Sequence, residues 1–465
     1  MERIRKISNS KNFIFYVMIL SFSCFLLNFI FNVFVNAAFP YIVCIISSIY
    51  SLIAAFLFII NKNTKPALMM VFFFPFIHGN LITVDFNTLF AFIPAIFMVI
   101  AVVVHHILYK TKLKMQKLFL GLIIYMLGVA IGGIGSKSVG EFYANFKWYF
   151  IFYILIVCAI IIYVMLVISS DIEMNLHDYA ILITYTGLFV CAEVIAYWAI
   201  MPFVLDIPEN AFFNPIQLGW GNKNNVATQL LMFLPGPMYL HAKDEDKKIY
   251  YASIGYLFVF FIVLVFSRGA CGVLAFILPF VLAYSIIVSK KKKQTIIIHA
   301  SFLGAILIAF SLLLLINQTL FHKIWDILLD LRFNSFNGRS SIYESLFEIW
   351  GENKAFGVGL IGSFNWFVDC KNYQFAHNSF LQMLFVSGIV GTVLFSIYIL
   401  DKYFHLLKNT TKEKLMVLST FLFPGLYGLM DVTYLNPVFM VTMLASYCMI
   451  NDVFKDEDPR FYIYG

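Results

Sequence analysis

Residues 149–169 read YFIFYILIVCAIIIYVMLVIS, a run with no charge, no proline and no glycine. About 20 such residues in helical form cross the hydrocarbon core of a bilayer. Lipid offers the backbone no hydrogen-bond partner, so a helix is the form that satisfies it. The rest of the chain repeats this pattern. Of 465 residues, 62% are hydrophobic and 12% charged, against about 45–50% and about 25% in a soluble domain. A soluble globule could not hide that excess, and the same numbers exclude disorder.

Further apolar runs of suitable length lie at 13–35, 40–60, 66–82, 88–108, 118–134, 179–201, 225–241, 249–267, 270–289, 295–316, 378–400, 414–430 and 434–450. With 149–169 they make fourteen spans. Two are irregular: 66–82 holds Pro75, and 225–241 is short and holds Pro235 and Pro237. The first run is longer than the apolar core of a signal peptide, so it is read as a retained helix. Seven cysteines show neither a CxxC motif nor a Cys/His metal spacing. The expectation is an all-α polytopic membrane helix bundle of about 14 transmembrane helices (12–14). It divides into eleven helices over 1–316, an extracytoplasmic loop over 317–376, and three helices with a cytoplasmic tail over 377–465.

Charge sets the orientation. With the N-terminus in the cytoplasm, 23 of the 32 Lys and Arg fall on the inner side, in clusters such as Lys110–Lys117 and Lys290–Lys293. The nine outer cations are Lys137, Lys147, Lys223, Arg268, Lys323, Arg332, Arg339, Lys354 and Lys371. Three of the chain's six arginines are among them. Arginine holds phosphate through a planar fork of donors, so an external anion site is one reading and chance the other.

The polar residues that remain gather on the outer side. Asn317–Ala376 is long for a loop in a compact fold and rich in aromatic and aliphatic residues, which points to function rather than disorder. Within it, Ser341 and Glu344 fit a capping box. Ile342, Leu346, Ile349 and Trp350 then share one face of a helix that would rest on the membrane or the bundle. Arg339 stands just before that helix, where free N–H groups favour an anion. Residues 357–362, GVGLIG, match GxGxxG but lack the βαβ context of a nucleotide site. They read as a tight turn that lets two backbones approach.

His377 and Asn378 stand directly before the apolar run 380–400. Asn378 suits an N-cap. The helix dipole at that mouth favours the neutral imidazole that a general base needs, although capping or packing would also explain a histidine there. Arg268 lies between two spans with almost no loop, where an ionisable group is functional unless it snorkels to the headgroups. Asn222 can cap the span that follows it. Asp431 ends span 414–430 and reads first as a structural salt-bridge partner.

Four motifs occur in a telling order: GNKNNVA at 221–227, SRGA at 267–270, Gly338-Arg339 through FGVG at 356–359, and AHNSFL at 376–381 followed by SGIVG at 387–391. Over roughly residues 215–400 this resembles the O-antigen ligase/polymerase superfamily of bacterial membrane glycosyltransferases. The resemblance implies a GT-C-like helix bundle in the cytoplasmic membrane, and the charge bias with an even number of spans puts both chain termini in the cytoplasm. It implies metal-independent transfer of glycan from an undecaprenyl pyrophosphate carrier, with no cofactor. By position, His377 corresponds to the family's base, and Arg268 and Arg339 to its pyrophosphate-binding arginines. Arg332 is an additional phosphate contact, and Asn378, Asn222 and Asp431 are supporting residues. The implied partners are a lipid-linked glycan donor and acceptor, the bilayer, a chain-length regulator and a flippase. No nucleic acid is implied. Polymerase and ligase share these features, and the Asn-, Lys- and Ile-rich composition leans toward polymerase. A transporter of lipid-linked sugars is the alternative of another class, though no internal repeat supports it.

Overall fold

The computed structural model describes residues 1–34, 39–78, 93–136, 141–204, 216–319, 321–322, 325, 339–360, 376–408 and 410–453. A short helix α1 (Glu2–Ser8) leads into the bundle. Long uninterrupted apolar runs form α2 (Phe13–Phe34), α3 (Phe39–Ile60), α7 (Glu141–Ser170) and α8 (Leu176–Val204). Shorter helices are α4 (Lys65–Phe73), α5 (Ile93–Tyr109), α6 (Lys117–Ile131) and α11 (Lys248–Leu264). Then come α12 (Arg268–Val288), α13 (Lys292–Ile316), α14 (Arg339–Gly351), α15 (Ser379–Leu407), α16 (Lys412–Tyr427) and α17 (Pro437–Val453). Seven of the described helices are long and apolar enough to cross a membrane, and five shorter apolar helices accompany them. The molecule is an all-α membrane helix bundle, and each of the fourteen apolar runs is mainly helical over its described residues.

The two irregular runs bend where their prolines stand. Helix α4 tightens into a 3₁₀ turn, Phe74–Ile77, around Pro75. The buried Asn28 of α2 donates to the Ile77 carbonyl at 2.7 Å, closing an end the turn leaves open. The second run divides into α9 (Lys223–Phe233) and α10 (Pro235–Lys243), with Pro235 at the start of α10, where its missing N–H costs nothing.

Two ends of the bundle differ in charge. One end carries ion pairs between Lys65 and Asp178, Lys243 and Glu413, Lys291 and Glu245, and His105 and Asp171. The opposite end gathers the N-termini of α9, α12 and α15.

Helix α15 is broken at Gly388 (φ 63°, ψ −162°). A broken helix in a membrane must satisfy its freed backbone groups with protein. Residues 354–359 do this. Val358 and Gly359 donate to the Phe385 and Val386 carbonyls at 2.9 and 2.8 Å. Ile389 and Val390 donate to the Lys354 and Ala355 carbonyls at 3.0 and 3.1 Å. Glycine is required on both sides of this seam. A Cβ on Gly357 would come within 2.4 Å of the Phe385 oxygen, and one on Gly388 within 2.4 Å of Ala355. The GxGxxG segment is thus a backbone splint across its described part, 357–360. Its last two residues, Ile361 and Gly362, lie outside the described residues.

Helix α14 is amphipathic and rests on the bundle. Its Leu346 is fully buried with Val358, Ala376 and Phe385, and Ile349 packs against them. It includes Arg339 and Ser340, so Ser341 stands within the helix.

Candidate functional site

The site is built from helix starts. Asn222 caps α9, its Oδ1 accepting from the Asn224 and Asn225 N–H groups at 2.9 and 3.3 Å. A two-residue hairpin, Gln217–Leu218 against Gly221–Asn222, presents that cap. Trp220 anchors the hairpin, donating from Nε1 to the buried Glu193 at 3.0 Å and standing edge-on to Phe76. A Cβ on Gly221 would strike Asn225 at 2.3 Å, so the GN step admits only glycine.

Asn378 caps α15 in the same way, accepting from the Phe380 and Leu381 N–H groups at 2.9 and 3.1 Å. Its amide donates to the Leu429 carbonyl at 3.0 Å, and the Ser379 N–H donates to the Gly428 carbonyl at 2.8 Å. The start of α15 is thereby pinned to the turn between α16 and α17. That turn carries Asp431.

His377 Nδ1 lies 3.2 Å from Asp431 Oδ1. Burial alone would raise the Asp431 carboxyl. The hydrogen bond and charge of His377, the Val432 N–H and the Tyr427 hydroxyl outweigh it and hold the group below its ordinary range. Asp431 is therefore an acceptor and takes the His377 Nδ1–H. No described residue bonds Nε2. His377 adopts φ 48°, a region rare for a side chain of its kind. Phe266, just before Ser267-Arg268, has φ 52°. Two of the three described non-glycine residues with positive φ thus flank this site, where strain is commonly held.

Tyr427 joins the motifs. It donates to Asp431 Oδ2 at 3.3 Å and lies 3.0 Å from the Ser267 hydroxyl. Ser267 also lies 2.9 Å from Asn224 Oδ1, so its single proton serves one acceptor or the other. Gly269 packs against the Tyr427 ring, where a Cβ would sit at 3.1 Å. One path of polar contacts therefore runs from His377 through Asp431, Tyr427 and Ser267 to Asn224, beside the cap Asn222.

The cations stand around this path. Arg268 is the first residue of α12 and is exposed. Arg339, the first residue of α14, is half-buried, and its charge acts on the Tyr427 hydroxyl. Lys223, the first residue of α9, is half-buried and close enough to Arg268 to feel it as a like charge. Arg332 lies outside the described residues. Sequence reasoning named Asp431 without the partner it has here. It passed over Tyr427, a residue that looks like any other interfacial tyrosine.

Cations and three helix N-termini on one face are an arrangement that favours an anion. A histidine whose Nε2 no described residue bonds, with a carboxylate on its Nδ1, can take a proton from a hydroxyl. Among the described residues, no three His, Cys, Asp or Glu side chains group as metal ligands.

No curated protein and no solved structure matches the chain. A family model described as O-antigen ligase matches residues 255–396, a segment that holds Arg268, Arg339 and His377 but neither Lys223 nor Asp431. That match makes this segment of the membrane protein similar to the O-antigen ligase/polymerase superfamily and points to ligase- or polymerase-type activity.

Proposed function

We propose that the protein is a metal-independent glycosyltransferase that polymerises undecaprenyl-pyrophosphate-linked repeat units into surface polysaccharide on the outer face of the cytoplasmic membrane. The observation that carries this reading is the His377–Asp431 pair, set at a mouth where Arg268 and Arg339 also begin helices. The acceptor sugar hydroxyl gives its proton to His377 Nε2 as its oxygen bonds to the anomeric carbon of the donor. The bond from that carbon to the pyrophosphate oxygen breaks, and the electron pair leaves with the carrier. Arg268 and Arg339 meet the charge that grows on the leaving group, and fixed donors of this kind are strong in a water-poor site. Asp431 steadies the imidazolium that forms and holds its tautomer, as a carboxylate does behind a catalytic histidine.

Transfer of finished glycan to a different acceptor is the second reading, and the description of the matched family favours it. The purified protein in lipid, given carrier-linked repeat units alone, tests the two. Growth of a ladder of products supports polymerisation. Turnover only after a second acceptor is added supports ligation. The same assay with EDTA tests metal independence, and loss of activity that Mg²⁺ or Mn²⁺ restores overturns it.

A further inference from the structure

The proposed chemistry gives Asp431 a task that its own attachment must support. Its Oδ1 meets His377 Nδ1 at 3.2 Å and accepts from the Val432 N–H at 2.8 Å. Its Oδ2 has one partner among the described residues, the Tyr427 hydroxyl at 3.3 Å. A carboxyl group turns readily about its last bond unless both oxygens are held. Tyr427 also accepts the Asp431 N–H on its carbonyl at 3.0 Å, so backbone and side chain grip the same residue. The tyrosine is itself fixed. It is 2% exposed, and its ring lies against Gly269, where a Cβ would come within 3.1 Å. Its hydroxyl has a single proton to give. The carboxylate is the strongest acceptor in reach, so that proton goes to Asp431. The oxygen's lone pair then faces Ser267 at 3.0 Å, and the Ser267 proton completes the contact when it is not turned to Asn224. The hydroxyl dipoles thus point toward Asp431 and keep it an acceptor, the state that steadies an imidazolium.

We propose that Tyr427 is a positioning residue for the His377–Asp431 pair: its hydroxyl holds Asp431 Oδ2 so that Oδ1 stays on His377 Nδ1, and through Ser267 it ties that pair to the start of α12. The inference rests on the proposed role of the pair and adds a residue outside the matched segment. Ser267 is the cap position of α12, so the pair and that helix start keep one spacing. Phenylalanine at 427 keeps the ring on Gly269 and removes only the hydroxyl.

The experiment measures kcat and KM for undecaprenyl-pyrophosphate-linked repeat units with the full-length protein in nanodiscs, per inserted molecule. It compares the wild type, Tyr427→Phe, Asp431→Ala and the double variant. Tyr427→Phe loses about tenfold in kcat, the scale of one hydrogen bond to a charged group, with KM unchanged within about twofold. In the Asp431→Ala background the same change lowers kcat by about twofold or less, because a residue that acts through Asp431 has nothing left to act on. Tyr109→Phe, which removes a hydroxyl bonded to the Ile59 carbonyl at the ion-paired end, leaves kcat unchanged. Wild-type kcat in well-inserted Tyr427→Phe, a raised KM at unchanged kcat, or a loss that persists undiminished beside Asp431→Ala overturns the assignment of Tyr427. Asp431→Ala with wild-type kcat overturns the His377–Asp431 reading itself, and a wild type without transfer overturns the proposed function. The assignment falls with either. If Tyr427→Phe does not accumulate, Ser267→Ala decides: a loss of kcat that vanishes beside Asp431→Ala supports the link, and wild-type kcat or an undiminished loss overturns it.

Discussion

Of the three histidine–aspartate pairs among the described residues, His105–Asp171 and His377–Asp431 stand at opposite ends of the bundle, and their chemistry differs. At the basic end, His105 is fully buried. Its Nε2 lies 3.0 Å from Asp171 and its Nδ1 lies 2.8 Å from the Phe58 carbonyl. Both ring nitrogens are used, so the pair is a staple between α3, α5 and the turn after α7. At the other end, His377 is 23% exposed and spends only Nδ1 on its aspartate. What separates a candidate base from a structural histidine is therefore one nitrogen that no described residue bonds, on a ring that is partly exposed. The ion-pair distance is nearly the same in both and does not discriminate.

Substituting each histidine breaks the comparison most directly. His377→Ala should lower turnover by roughly 10²–10⁴-fold, the usual contribution of a general base, while the protein accumulates normally. His105→Ala should instead lower abundance and thermal stability, because it strands a partly buried carboxylate. Membrane abundance measured with product length by gel separates the outcomes. Normal polymer from well-expressed His377→Ala would end the base assignment.

Arg268→Lys sharpens the comparison next. Lysine keeps the charge and loses the fork, so activity should fall by about one to two orders of magnitude at unchanged abundance. Asp431→Asn should cost about tenfold or more in turnover, since asparagine can hold the wrong tautomer of His377. Asp171→Asn, at the other pair, should leave turnover per molecule unchanged. Loss of turnover per inserted molecule in Asp171→Asn would show that the two ends are coupled.

The smallest effect concerns pH. Asp431 is held below its reference value of 3.8. Its contribution to stability is therefore fully present above that value and is lost as pH falls through the depressed folded value. The unfolding midpoint of the wild type should drop in that acid range relative to Asp431→Asn, which lacks this titration. Parallel curves for the two proteins would contradict it.

Several elements were legible from the sequence because their causes are local. Asn222 and Asn378 cap helices because each stands one residue before a helical run, and a short side-chain oxygen reaches the free N–H groups there. The glycine turn at 357–359 was legible as a close backbone approach, but its partner was not. Only the fold shows that it splints a break in α15 at Gly388, next to a contact where a Cβ on Gly128 would lie 3.3 Å from Gly391. A capping box at Ser341 and Glu344 starts the helix two residues too late, since the helix includes Arg339 and Ser340.

The sequence by itself determined that this is a membrane helix bundle and which end of it holds the polar motifs. Lipid acts on every residue of a span alike, so apolar length can be read without knowing any neighbour. Only the tertiary structure decided that Asp431 faces His377, that Tyr427 reaches Ser267, and that Lys223 stands beside Arg268. These partners lie 54 and 160 residues apart in the first two cases. A polar residue at a helix end carries the same local signal whether it caps, packs or binds. Which ends meet is set by how the helices pack, and that is settled by contacts across the whole bundle.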